Sequence, residues 1–227
     1  MGGNFFMLIL GIDTSSKTSA VGLLKDDLPL GNYTLTGSVY HSESLNEMID
    51  DILKKQNLKI SDIDLFAVGI GPGSWTGLRI GLAVIKIFAQ TLNKPMVTVS
   101  SLGAYAENFK GFEKIVPVID AKRNRIYYGI YSNKEKLKVI REDCLENIED
   151  AEKFFEDAYF VGESAKFIGE KLQKPYKTSQ ILPTDLCKLA LEKYKEKGED
   201  NFYTALPNYL NVSQAEREYG KNKKSDK

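Results

Sequence analysis

The chain has 227 residues, 42% of them hydrophobic and 27% charged, a balance for one large or two small globular domains and not for a disordered chain. Lysine plus arginine equals aspartate plus glutamate at 31 each, without the basic surplus usual in a protein that grips nucleic acid unaided, so any RNA is expected to be held mostly by another chain. Two cysteines outside any Cys-x-x-Cys pattern and a single histidine leave no legible disulfide framework, zinc site or multi-histidine metal site, which suits a reducing, cytoplasmic setting.

The start, Met1 to Met7, lacks a basic region and a cleavage site, so it is not read as a signal peptide; Met1 and Met7 both remain open as starts. Leu8 to Asp13, Ala20 to Lys25 and Leu30 to Leu35 read as strands of an antiparallel meander, with a Thr-Ser-Ser-Lys-Thr-Ser turn after the first. Ser44-Leu-Asn-Glu47 reads as a capping box. Behind it Leu45, Met48, Ile49, Ile52 and Leu53 fall on one face of a helix. Leu65 to Ile70 is an apolar strand. Trp75 to Asn93 is predicted as a helix that is apolar almost all round, relieved by Arg79, Lys86 and Gln90. Pro95 to Val99 is a strand and Ser101 opens a short helix. A second unit starts near Lys114, with strands at Ile115 to Ile119, Ile126 to Tyr131 and Leu137 to Arg141. Helices are predicted at Ile148 to Glu156, Ala165 to Leu172 and Thr184 to Lys197, the last closed by Gly198. This unit reads as smaller and less complete, with no internal repeat. The lysine-rich end, Lys221 to Lys227, reads as a frayed tail. No apolar run reaches the ~18 residues of a membrane span.

The strongest local signal runs from Gly69 to Gly81, through Gly71-Pro-Gly-Ser-Trp-Thr-Gly. It is neither a P-loop nor a clear dinucleotide fingerprint. Gly73, Gly77 and Gly81 are four residues apart and form one helix stripe. A glycine inside a helix costs about 1 kcal/mol relative to alanine, and close approach of a second helix, in the same lobe or on a partner, would offset it. A partner-binding surface is therefore expected from Leu45, Met48, Ile49 and Ile52 with Gly73, Trp75, Gly77, Arg79, Ile80 and Gly81. On that reading Gly77→Leu blocks a complex and leaves the monomer folded. Asp13, Thr14 and Ser15, with Gly71 and Gly73, could cradle a phosphate, or form an ordinary turn. His41, ahead of the capping box, reads as a helix-entry residue and not a base. Lys122, Arg123 and Arg125 form a small basic knot that could touch RNA or be a solvated turn.

Taken together, Ile9-Leu-Gly-Ile-Asp-Thr-Ser15, His41-Ser-Glu43, Gly71 to Gly81, Val99-Ser-Ser-Leu102, Asp120-Ala-Lys-Arg123 and Pro207-Asn-Tyr-Leu210 occur in the order and spacing of the TsaB (YeaZ) family. The sequence resembles that family from about residue 8 to residue 216. It departs at Trp75, where phenylalanine is usual, at Lys122 and Arg125, and at Asn211, where arginine is common. The resemblance implies an α/β, two-lobe actin/Hsp70/sugar-kinase-like architecture of ribonuclease-H-like topology with a reduced second lobe. Lobes are expected at 7–103 and 104–212, with a tail at 213–227. It further implies a non-catalytic cytoplasmic partner of TsaD, the enzyme that transfers threonylcarbamoyl to the adenosine beside the anticodon of tRNA. TsaE would associate through TsaD, tRNA would be met indirectly, and a homodimer would form through much the same surface when TsaD is absent. By that resemblance the two histidines of TsaD's metal-binding His-x-x-x-His fall here at Ser101 and Tyr105, and neither hydroxyl replaces an imidazole as a transition-metal ligand. No resident cofactor is expected, beyond weak nucleotide binding at an interface. The rival readings are an ATP-dependent kinase or hydrolase of the same fold, motivated by Asp13 and the Gly71 loop, and a peptidase, for which no nucleophile-base pair is present.

Overall fold

The computed structural model describes residues 7–37 and 41–210, with 41–43 described by backbone only. The readings made for the His41 side chain, the start ahead of Met7, Asn211 and the 213–227 tail lie outside the described residues.

Strand β1 (Leu8–Asp13) is buried along its whole length and forms the centre of the first sheet. β2 (Thr18–Lys25) pairs with it antiparallel and β3 (Leu28–Thr36) pairs with β2, while β4 (Leu65–Gly69) and β5 (Met96–Val99) continue parallel on the other side. The order is β3-β2-β1-β4-β5. The second sheet contains β6 (Ile115–Asp120), β7 (Arg125–Ser132), β8 (Lys138–Asn147), β9 (Tyr159–Val161) and β10 (Tyr176–Lys177), in the order β10-β9-β6-β7-β8. Read from β8, this is the order of the first sheet. The senses match too: β6 to β7 and β7 to β8 antiparallel, β6 to β9 and β9 to β10 parallel. The molecule is thus a structural duplication of a ribonuclease-H-like unit, where the sequence shows no repeat. The second sheet has as many strands as the first. What is reduced there is the size of its parts, down to the two-residue β10 and the four-residue helix α4 (Ile148–Ala151).

Strand alternation sets the layers. Leu8, Leu10 and Ile12 turn to one side, where they meet helices α1 (His41–Lys55) and α2 (Trp75–Leu92). Ile9 turns to the other, onto α3 (Ser101–Glu107) and α6 (Pro183–Lys197). α6 can lie flat on β1 and β2 because Gly11 and Gly22 present no side chain. A Cβ at Gly22 would stand 2.6 Å from the Pro183 carbonyl carbon, and one at Gly11 2.5 Å from Cys187 Sγ. The same α3–α6 layer packs on Ile115, Tyr131 and Val161 of the second sheet. The far face of that sheet carries α4, α5 (Ala165–Leu172) and Phe155 over Val118, Tyr128 and Phe160. The layers therefore run helix, sheet, helix, sheet, helix. The boundary expected at 103/104 falls within α3, and α6, which follows the second sheet in sequence, packs on the first.

Helix α1 begins at His41, a turn ahead of the expected cap, so Ser44 is a buried helical residue and not the N-cap. α2 starts as expected: the Ser74 hydroxyl accepts from the Gly77 amide, and Asn93 ends the helix in the left-handed conformation. The predicted helix at 148–156 splits into α4 and a short 3-10 turn, Glu152–Phe154. After α6 the chain returns to the first sheet. Asp200 accepts from the Thr98 amide and hydroxyl and from Lys193 Nζ, at 2.7–2.8 Å, and Phe202 and Ala205 pack beside α2. Among the described residues no helix is long and apolar enough to cross a membrane.

Candidate functional site

The turn from β1 to β2 lies between the two sheets. The Asp13 carboxylate is buried. One oxygen accepts from the Ser15 amide and hydroxyl at 2.8 and 2.6 Å; the other accepts from the Ser101 hydroxyl at 2.5 Å. Burial pushes this carboxyl above the usual range, against those hydrogen bonds. The Gly71 amide donates to Ser101 Oγ, and the Ser101 amide donates to the Gly71 carbonyl, both at 3.0 Å. The phosphate candidates Asp13, Ser15 and Gly71 therefore converge, but their polar groups are spent on one another and on Ser101. Tyr105 is buried too, and its hydroxyl makes no hydrogen bond of ordinary geometry among the described residues. Burial, then the nearby charges of Glu163 and Asp13, hold its phenol well above the usual value. Glu163, from the turn between β9 and α5, joins the second unit to this turn: it accepts from Ser16 Oγ at 2.8 Å and from Thr18 Oγ1 at 3.0 Å.

The glycine stripe on α2 does meet a close neighbour, but that neighbour is the 14–15 turn of the same chain. A Cβ on Gly77 would stand 1.9 Å from the Thr14 carbonyl oxygen, one on Gly73 2.2 Å from the Ser15 carbonyl oxygen, and one on Gly81 2.5 Å from Thr14 Oγ1. Thr14 Oγ1 donates to the Gly77 carbonyl at 2.7 Å and the Ser74 amide donates to the Ser15 carbonyl at 2.6 Å. Both readings of the stripe, a second helix in the lobe or a partner helix, are corrected: a backbone turn fills the groove. Gly77 and Gly81 are buried in that contact and the Thr14 hydroxyl is engaged by it, while Gly73 stays part-exposed. Gly77→Leu would disrupt the monomer itself.

The α1 residues are corrected for the same reason. Leu45, Met48, Ile49 and Ile52 are buried against Leu10, Val21, Phe66 and the rest of the first core, so an apolar helix face was legible but its occupant was the chain's own sheet. What α2 leaves outside is a different flank. Ile87 is 61% exposed in the C-terminal half of α2, with Ala83 exposed and Ile80 half-exposed on one side of it and Gln90 and Thr91 exposed on the other. Beside this flank an open recess of about 560 Å³ lies between α1 and α2, with Leu53, Leu58, Ile60 and Phe88 in its apolar wall and Asn46, Asp50, Lys54 and Lys59 around it.

Trp75 and Arg79 are engaged by the returning chain. Tyr209 stacks on Trp75 with ring centroids 4.2 Å apart, and its hydroxyl accepts from Arg79 Nε at 2.8 Å. The Asn208 amide donates to the Ile70 carbonyl, and Lys86 Nζ to the Ala205 carbonyl. The Pro207-Asn-Tyr-Leu210 segment thus docks at the start of α2. Sequence reasoning picked out that segment without placing it, and it missed Glu163 altogether. It also missed Asp143, which accepts from Ser100 Oγ and Tyr131 Oη at 2.5 Å and joins the first sheet to the second. The basic knot stands on three successive left-handed residues, Lys122, Arg123 and Asn124. Lys122 is paired with Asp120, and Asn124 bonds Glu149 on the acidic start of α4. Among the described residues no three His, Cys, Asp or Glu side chains are grouped to hold a metal.

Three comparisons fit this geometry. The family model for TsaD, tRNA N6-adenosine threonylcarbamoyltransferase, matches residues 36–194. The tRNA threonylcarbamoyladenosine biosynthesis protein TsaB of Bacillus subtilis is 32% identical over 156 residues, 65% of this chain and 68% of that protein. Its namesake from Escherichia coli is 33% identical over 134 residues, 57% of each chain. The solved structure of YeaZ from Pseudomonas aeruginosa superposes with a TM-score of 0.80 at 25% identity, over 90% of this chain and all of that one. By sequence over most of its length and by fold over nearly all of it, the chain belongs to the TsaB (YeaZ) family, within the wider group that the TsaD model describes.

Proposed function

We propose that this protein is a non-catalytic partner of TsaD in forming threonylcarbamoyladenosine beside the anticodon of tRNA. It acts by docking, through the exposed flank of α2 formed by Ile80, Ala83 and Ile87 and the neighbouring recess of α1. The observation that carries this is Ile87: a large apolar side chain 61% exposed on a helix that is apolar on nearly every side. Such a side chain gains free energy when covered, at about 25 cal/mol per Å² of apolar surface. Chemistry is assigned to TsaD because the positions matching its histidines here carry Ser101 and Tyr105. The first is spent on Asp13; the second is buried with its phenol held neutral. The same spent groups at Asp13 give no support to the kinase or hydrolase reading. TsaE is met through TsaD, tRNA indirectly, and in the absence of TsaD a second copy covers the same flank. The setting is cytoplasmic.

The test is co-purification with TsaD, followed by a tRNA modification assay with each component omitted in turn. Ile87→Asp is expected to reduce TsaD capture at least tenfold, a loss of about 1.4 kcal/mol, with an unchanged melting temperature. Retention of wild-type affinity would remove this flank from the interface. Full modification activity without the protein would remove the function.

A further inference from the structure

The turn that fills the glycine groove of α2 is also the turn that Glu163 holds. Thr14 and Ser15 are locked to α2 by the Thr14–Gly77 and Ser74–Ser15 hydrogen bonds and by three glycines with no room for a Cβ. Ser16 and Thr18 follow in sequence, and both donate to Glu163 in the turn after β9. Thr18 is further joined to Thr36 at 2.7 Å, and Thr36 to Gln180 Nε2 at 2.9 Å. Two tethers from the second unit thus converge on one residue of a five-residue segment whose other end is wedged under α2. A backbone oxygen seated in a helix groove at these distances cannot slide along it. A shift of the 16–18 end is therefore passed to the first turns of α2.

From this we propose that Glu163 is a latch. The hold of Glu163 on Ser16 and Thr18 braces the start of α2 in its docking-competent position, so this hold and docking on α2 favour each other. This rests on the reading of α2 as the docking helix. The coupling is reciprocal: release of Glu163 weakens docking, and docking tightens the latch.

The experiment is hydrogen exchange on the full chain, first alone and then with TsaD. In Glu163→Ala, exchange is expected to rise about tenfold, within the usual span of site-to-site coupling, at residues 14–18 and at Trp75–Ile80, with β6 and β7 unchanged. Glu163→Gln, which keeps an oxygen acceptor, should show a smaller rise in the same places. Thr18→Val should reproduce it from the other partner. In the wild type, added TsaD should slow exchange at residues 162–166. Loosening at 14–18 with Trp75–Ile80 unmoved, or no loosening at either, would overturn the latch. Should the alanine variant lose its near-ultraviolet circular dichroism, the glutamine and valine variants decide. Failure of the docking reading looks different: TsaD then protects nothing on α2 in the wild type, while the variants of the isolated chain still loosen it.

Discussion

The carbonyl oxygen of Thr14 occupies the place where a side chain on Gly77 would begin, 1.9 Å from an ideal Cβ. That oxygen is part of the backbone and cannot rotate away, and the Thr14 side chain is fixed on the Gly77 carbonyl as well.

Gly77→Ala is therefore expected to destabilise the isolated chain. Alanine would gain about 1 kcal/mol of helix propensity, but forcing a methyl into a filled groove costs about 1–3 kcal/mol or more. Contacts this short favour the upper end. Gly103→Ala is the control: a Cβ there meets nothing closer than 3.5 Å, and the site is helical. Denaturant unfolding should show a clear loss for the first variant and little change or a gain for the second.

The close approach at 73, 77 and 81 was legible from the sequence because helical glycine is costly without an offset. What approaches was not legible, because a turn sixty residues earlier in the chain leaves no periodic signal. Similarly, the apolar face of α1 could be read from Leu45, Met48, Ile49 and Ile52, while spacing alone does not say whether such a face meets a sheet or a partner. β1, β4 and α2 could be read from nearly uninterrupted apolar runs, and β2 and β3 from short segments set off by turns. Tyr159–Val161 was missed since three residues carry no alternation, and with it went the duplicated strand order, which exists only in long-range pairing. Glu163 sits in a Gly-Glu-Ser turn that looks like any solvated turn. Its meaning comes from hydroxyls some 145 residues away in sequence.

The stack of Tyr209 on Trp75 offers a direct optical readout, because Trp75 is the only tryptophan. Tyr209→Ala removes a ring pair that contributes about 0.5–1.5 kcal/mol beyond its buried area, together with the Arg79 hydrogen bond. Its expected effect is a shift in tryptophan emission under native conditions, from release of the 207–210 segment, with the fold retained. Tyr209→Phe keeps the ring and loses only the acceptor for Arg79, so its emission should stay near that of the wild type. An unchanged spectrum in the alanine variant would mean that the segment stays docked without its ring.

Asp143 makes stability depend on acid in an unusual direction. Burial, only partly offset by the Ser100 and Tyr131 hydrogen bonds, raises its carboxyl to about 6. A group whose pKa is higher in the folded chain binds protons more tightly there. Its stabilising contribution is fully present below the unfolded value near 4 and is lost as pH rises through about 6. Across that window the contribution falls by about 2–3 kcal/mol. Asp13 is shifted in the same sense. Asp200 is shifted downward, since its bonds to Lys193 and Thr98 outweigh burial, and it opposes them at lower pH. Asp143→Asn should flatten the fall in stability between about pH 4 and 6. An unaltered pH profile of the melting temperature would show that this carboxyl titrates normally.

The two thiols should behave as different chemical groups. Cys187 is fully buried against β1 and β2, and burial, then the Asp185 charge, pushes its thiol far above the usual range. Reaction requires the thiolate and access to it, and this residue has neither. Cys144 is half-buried on β8, where its thiol donates to the Tyr128 carbonyl at 3.6 Å and lies beside Arg141. An aromatic disulfide reagent should therefore titrate one thiol per chain in native buffer and two in denaturant, and Cys144→Ser should abolish the native reaction alone. Rapid reaction of Cys187 in the native chain would mean that α6 lifts from the sheet at Gly11 and Gly22, and that the middle helix layer opens on the timescale of the assay.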